Sequence, residues 1–192
     1  MNVMAAEPAN GIRRSETSTV LFGAAQPDDS AAIAGLHNVI AERLTSAFGH
    51  GHWSYRHTEQ GVRSSMKRAQ VFVARRGSEI VATFTLATKK PWAIDRSCFS
   101  QVVRPLYLLA MAVSPDVQGQ GLGRRCLDEA RTIAKAWPAD AIFLDAYDTA
   151  AGAGEFYRKC GFREVGRVTY RGTPLIYYEW LVGQPFWGCF RQ

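Results

Sequence analysis

The chain has 192 residues, 47% of them hydrophobic, and a net charge of +6 at neutral pH. That is enough apolar material for one full core, so a single domain is expected, and no apolar run reaches the ~20 residues of a membrane-spanning helix. The basic residues fall in pairs, such as Arg13-Arg14, Lys67-Arg68, Arg75-Arg76, Lys89-Lys90 and Arg124-Arg125, rather than in one block, which gives a nucleic-acid partner only weak support.

Residues 1–16 are small, polar and charged without periodicity and read as a loose tail ahead of one domain over 17–192. They lack the apolar core of a secretion signal. The four cysteines, Cys98, Cys126, Cys160 and Cys189, show no Cys-x-x-Cys spacing, so a reduced cytoplasmic protein without a disulfide framework is expected. A β-rich run over 17–22 precedes Pro27-Asp28-Asp29-Ser30, a helix start, and then Ile33, Leu36, Val39, Ile40 and Leu44 at helical spacing. A second short helix is predicted over 59–68, a hairpin from strands 70–75 and 79–88 around Arg76-Gly77-Ser78, and a loop over 91–104.

Residues 105–113 are almost wholly apolar, as a central strand covered on both faces must be. From Gly121 a helix follows whose apolar stripe is Leu122, Cys126, Leu127, Ala130, Ile133, Ala134 and Trp137, and Pro138 cannot continue it. A strand over 141–147, a helix over 149–160 stopped by Gly161, and strands over 163–170 and 175–182 paired across Arg171-Gly172-Thr173-Pro174 complete the chain. Strand-helix-strand-helix-strand-strand makes an α/β fold, a mixed sheet with helices on both faces.

The residues most informative about function lie between strand and helix, Val113-Ser-Pro-Asp-Val-Gln-Gly-Gln-Gly-Leu-Gly-Arg-Arg125. Closely spaced glycines let the backbone approach a ligand with several N–H groups pointing inward, and the positive end of the helix dipole favours an anion there. A phosphorylated ligand is expected. A dinucleotide fingerprint starting at Gly119 would need glycine or alanine where Arg124 stands, and a Walker loop would need Lys and Ser or Thr after Gly123, where Arg124 and Arg125 stand. An ordinary glycine-rich strand-to-helix junction is the plain alternative.

Gln118-x-x-Gly121-x-Gly123, with Val113-x-Pro115 before it, resembles the acyl-CoA signature of the GCN5-related N-acetyltransferases. Phe156-Tyr157-Arg158-Lys159-Cys160-Gly161-Phe162 resembles the second signature of that family, in the right order. The close resemblance runs over roughly 104–182 and departs at Ala150, where the family often has asparagine. It implies a mixed, mostly antiparallel sheet of six to seven strands with splayed central parallel strands, and acetyl-CoA as co-substrate. By the same carry-over Met111, Ala112 and Val113 meet the pantetheine arm, the backbone of Gln118, Gly119, Gln120, Gly121, Leu122, Gly123 and Arg124 holds the pyrophosphate, and Tyr157 protonates the departing thiolate. A tyrosine that only packs its ring is the alternative for Tyr157. The strand 105–113 holds no acid, so the base is sought in Asp145, in Glu179 or in a water chain.

The resemblance also places residues 49–57, Gly-His-Gly-His-Trp-Ser-Tyr-Arg-His, at the wall of the acceptor pocket, with Trp53, Tyr55 and Tyr147 as acceptor-binding residues. The alternative for the aromatics is closing the core beneath a loop. His50, His52 and His57 lack a cysteine or acid in the run to complete a metal site, so no metal is expected. Trp92, Phe186, Trp187 and Phe190 are core, lid or homodimer contacts. The activity implied is acetyl transfer to a primary amine of a small molecule or peptide by direct attack in a ternary complex; the alternative is a CoA-thioester-binding module without turnover.

Overall fold

The computed structural model describes residues 19–183. The tail 1–16 and the readings on Phe186, Trp187, Cys189 and Phe190 therefore fall outside the described residues. Seven strands form one sheet: β1 (Val20–Ala24), β2 (Gln70–Arg76), β3 (Glu79–Ala87), β4 (Pro105–Val113), β5 (Ala141–Tyr147), β6 (Arg163–Tyr170) and β7 (Thr173–Leu181), in the order β1-β2-β3-β4-β5-β7-β6. Only β4 and β5 run parallel; every other neighbouring pair is antiparallel. The helices are α1 (Ser30–Phe48), α2 (Glu59–Met66), α3 (Leu122–Ala136) and α4 (Gly154–Lys159).

The side-chain alternation of the strands divides the molecule into two faces. Leu106, Leu108, Ile142, Leu144 and Tyr178 point to α3 and α4 and pack on Leu122, Cys126, Leu127 and Tyr157. On the other face Val71, Val73 and Ala112 pack beneath Ile33, Ala34 and Leu36 of α1 and Val62 of α2. Further along that face, Phe143, Leu175 and Tyr177 are covered by Ile94 and Phe99 from the loop between β3 and β4.

Several expected boundaries shift. Of the strand expected over 17–22, residues 17 and 18 fall outside the described residues, and β1 continues past 22 to Ala24, pairing Val20 with Arg76 and Ala24 with Phe72. Val39 is 51% exposed, because the inward stripe of α1 runs through Ile33, Ala34, His37, Asn38 and Ala41 instead. Trp137 is 49% exposed, since α3 ends one residue before it. The last helix starts at Gly154 and not at 149: the segment 148–153 turns back on β5, and a Cβ at Gly152 would lie 1.8 Å from the Tyr147 carbonyl oxygen. β7 begins at Thr173, earlier than expected, because Arg171 (φ 50°) and Gly172 (φ 80°) form a two-residue left-handed turn matched to the sheet twist.

Candidate active site

β4 and β5 are hydrogen-bonded only from Pro105↔Ala141 to Tyr107↔Phe143. Beyond those residues they part, and a wedge opens between their C-terminal halves. At the wedge β4 bulges: Leu109 pairs with Thr85 but Ala112 with Thr83, so β4 carries an extra residue, and Ala110 adopts φ 48°. A left-handed alanine is uncommon and costs of order 1 kcal/mol, the kind of strain that collects at functional sites. The bulge turns Met111 and Val113 toward α3 and Ala112 toward α1. No side-chain pattern in the apolar run 105–113 announced it.

On the α3 side the glycine turn sits at the mouth of the wedge. Gly119 (φ 77°) and Gly121 (φ 80°) are both left-handed, and a Cβ on either would meet no protein atom, so the concave side of the turn is open. The first backbone bond of α3 runs from the Arg125 N–H to the Gly121 carbonyl at 3.1 Å, which places the N–H groups of Leu122, Gly123 and Arg124 ahead of it, in the orphan first turn that favours anions. The Gln118 side chain donates to the Val113 carbonyl at 2.9 Å and closes the turn onto the end of β4. Gly123 serves packing instead, since a Cβ there would lie 3.1 Å from the Phe156 ring; its absence lets α4 approach α3. Arg124 donates to the Lys159 carbonyl and ties these helices together, while Arg125 turns away to the Val20 carbonyl and the Phe22 ring.

Tyr157 is buried on this side, its ring against Phe156, Phe162 and Tyr178. The Phe162 N–H donates to the Tyr157 carbonyl and the Gly161 N–H to the Arg158 carbonyl, a closed helix end that fixes the residue. Among the described residues the Tyr157 hydroxyl meets only the Met111 sulfur, at 4.0 Å, a weak acceptor, and Met111 belongs to β4 at the wedge. Burial, and then the charge of Asp145, push the phenol pKa up, so the hydroxyl keeps its proton at neutral pH.

On the opposite face the two candidate bases separate. Asp145 lies in the C-terminal half of β5, on the α1 face between Phe143 and Tyr147, and burial raises its pKa. Glu179 is 1% exposed and fully engaged. It accepts from the Ser100 N–H at 2.9 Å and the Ser100 hydroxyl at 2.8 Å, and it pairs with Arg163. It sits opposite Phe143, where β4 and β5 are still closed, and there it ties the 91–104 loop to the sheet.

The 49–57 segment crosses the α1 face of the wedge. Trp53 stands edge-on to Tyr147 at 6.0 Å and donates from Nε1 to the Gly49 carbonyl, while His52 stacks on Tyr147 and shares a 2.6 Å hydrogen bond with Thr173. Tyr55, 70% exposed, leans on His57 and lines a cavity of about 630 Å³ over β3 and β4. Thr83, Thr85, Leu109 and Ala110 form its floor, and Ile33, His37, His57 and Val62 its walls. Asn38 clamps the His57 backbone with bonds of 3.0 and 2.8 Å, and Thr45 meets Ser54 at 2.6 Å, so α1 holds the segment in place. His37 stacks on His57 at 4.4 Å, and burial followed by that neighbour lowers its pKa to about 4.

His37 was missed in the sequence, although a histidine four residues after Ile33 on an apolar stripe was the available signal. Among the described residues there is no His, Cys, Asp and Glu group able to hold a metal, and no helix long and apolar enough to cross a membrane. Cys98, Cys126 and Cys160 are free, and burial pushes the Cys126 thiol up to about 12.

The same architecture recurs in known proteins. A family model described as an acetyltransferase (GNAT) domain matches residues 67–164. The N-acetyltransferase YesJ of Bacillus subtilis (strain 168) is 30% identical over 144 residues, 72% of this chain and 79% of that protein. The ribosomal-protein-S18-alanine N-acetyltransferase of Escherichia coli superposes with a TM-score of 0.64 at 17% identity, covering 90% of this chain and 100% of that one. The acetyltransferase yncA of Salmonella typhimurium, solved with its cofactor acetyl-CoA, superposes with a TM-score of 0.63 at 15% identity, covering 86% of this chain and 95% of that one.

Proposed function

Because the chain belongs to the GNAT family of N-acetyltransferases, we propose that it moves an acetyl group from acetyl-CoA to a primary amine by direct attack within a ternary complex. The observation that carries this reading is the wedge itself: an open, anion-favouring turn at Gly119 and Gly121 on one side, and a phenol hydroxyl at its edge whose one partner is a thioether. The residues fit the co-substrate. The N–H groups of the turn and of the first turn of α3 would hold the pyrophosphate, and the β4 edge at Met111, Ala112 and Val113 would receive the pantetheine arm, with no strand partner there on the β5 side.

Acetyl-CoA supplies the activated thioester. The chain supplies orientation, worth roughly 7–11 kcal/mol when two reactants are held in line, and the movement of two protons. Tyr157 Oη holds a proton for the departing sulfur, as a phenol of ordinary pKa does at neutral pH, and the burial that raises its pKa makes it a more reluctant donor than a free tyrosine. Asp145 is the base in this reading, taking a proton from the amine through water, since it does not line the cavity under Tyr55. Burial raises its affinity for that proton, and it lies on the acceptor face at the open half of β5. Trp53, Tyr55 and Tyr147 shape the acceptor side.

Thiol release measured with acetyl-CoA and a panel of primary amines tests the proposal, together with calorimetry for acetyl-CoA alone. Acceptor-dependent thiol release is expected. Acetyl-CoA binding with no release for any amine would instead support a binding module without turnover.

A further inference from the structure

The acceptor cavity holds basic and neutral groups only. Among the described residues no aspartate or glutamate lines it, whereas Arg68 just after α2 and Lys89 and Lys90 after β3 do. Arg68 and Lys89 make no ion pair among the described residues, while nearby arginines do: Arg63 with Glu59, Arg75 with Asp29, Arg76 with Glu79. Lys90 is tied through its ammonium to the Pro91 and Ile94 carbonyls. The remaining wall is apolar and aromatic, with Ile33, Val62, Leu109 and Tyr55 inside and Trp92, 87% exposed, at the rim. A volume of about 630 Å³ suits a small molecule.

From this lining we propose that the acceptor is an amine with an apolar body and a carboxylate, an amino acid or a close analogue, held by Arg68 and Lys89; this rests on the acetyltransferase reading above. A guanidinium recognises a carboxylate through paired N–H donors, and an ammonium adds a point charge. The same two cations repel polyamines and other polycationic amines, which need acidic pockets, because like charges brought together across a contact cost several kcal/mol. They also disfavour the protonated form of an amine held nearby, so the acceptor is more readily the free base that attacks. Both sides of one small molecule, its carboxylate and its amine, are served by one charge arrangement.

Matched pairs decide the matter: phenylalanine against phenethylamine, tyrosine against tyramine, leucine against isoamylamine, with spermidine as the polycation. Binding to the CoA-loaded protein is followed by calorimetry and turnover by thiol release. At least one amino acid is expected to bind tenfold or more tightly than its decarboxylated partner, with spermidine weakest. In the double variant Arg68→Gln/Lys89→Gln that preference should fall to within about twofold, through a higher amino acid KM and tighter binding of the decarboxylated amine, while acetyl-CoA affinity holds. Equal or tighter binding of the decarboxylated amines, a preference for spermidine, or no binding by any amino acid overturns the proposal. So does a double variant that loses acetyl-CoA affinity instead, which would assign the cations to the co-substrate. A parent protein that fails to bind acetyl-CoA at all overturns the acetyltransferase reading and this inference with it.

Discussion

The two sides of the wedge are built in opposite ways. The α3 side is a contiguous backbone device, one turn and the start of one helix, whose free groups are N–H groups that any residue carries. The α1 side is an assembly of side chains from α1, the 49–57 segment, α2, β3 and the bulge of β4. A backbone device constrains sequence through glycine spacing, whereas an assembled wall leaves only scattered polar residues within apolar stripes. The first side can therefore be tested by single residues, and the second chiefly by what it binds.

The largest expected effect separates chemistry from packing at the contact between the two sides. Tyr157→Phe keeps the ring contacts with Phe156, Phe162 and Tyr178 and removes only the donor. Turnover should fall by roughly 10²- to 10⁴-fold, about 3–5 kcal/mol, with melting temperature and acetyl-CoA affinity nearly unchanged. Turnover within about threefold of the parent, or a loss of stability instead, would make Tyr157 a packing residue.

On the α1 side the buried histidine gives a pH signature. The pKa of His37 is about 4 in the fold, against 6.5 for the free side chain, so the unfolded chain binds more protons between those values. The contribution is fully present above pH 6.5 and is lost as pH falls toward 4, with a total on the order of 3 kcal/mol. Chemical denaturation of the parent across that window should show the decline, and His37→Gln should flatten it. An unchanged slope in the variant would place the proton uptake elsewhere.

That contrast also decides what could be read in advance. β4 and β5 were placed to the residue, since a doubly covered strand is a bare apolar run with sharp ends, and the turn before α3 was found from its glycines. The last helix begins five residues later than expected, at Gly154 against 149, because of a close approach between Gly152 and β5 that only the fold creates. The partners of Glu179, Ser100 and Arg163, could not be read in advance, because they come from distant segments. His37, Asn38 and Thr45 read as ordinary helix residues, although polar groups on the inward side of α1 were the visible trace of its contacts with the 49–57 segment.

The backbone side predicts a smaller but sharper loss. Gly121→Val places a branched side chain in a left-handed position and aims it into the open turn, so acetyl-CoA affinity should weaken at least tenfold, about 1.4 kcal/mol or more. Gly123→Val should act differently, by displacing the Phe156 ring beside Tyr157, and so should reduce kcat as well as affinity. Calorimetry and steady-state kinetics on the two variants distinguish the roles, and unchanged acetyl-CoA affinity in both would remove the cradle from this turn.

The smallest effect belongs to the assembled side, where no single residue carries the site. Trp53 is held edge-on to Tyr147 at 6.0 Å and anchored by its indole N–H on the Gly49 carbonyl, so truncating it loosens the part of the segment that overlies the end of β5. An aromatic pair of this kind contributes roughly 0.5–1.5 kcal/mol beyond its buried area. Trp53→Ala should therefore raise the acceptor KM by roughly two- to tenfold, with acetyl-CoA affinity unchanged and kcat affected less than KM. Tyr55→Ala should raise the acceptor KM as well, because that side chain lines the cavity, although it is 70% exposed and packs only edge-on to His57. Acceptor and acetyl-CoA saturation curves on both variants carry the comparison. A loss of acetyl-CoA affinity with an unchanged acceptor KM would move the 49–57 segment to the co-substrate side of the wedge.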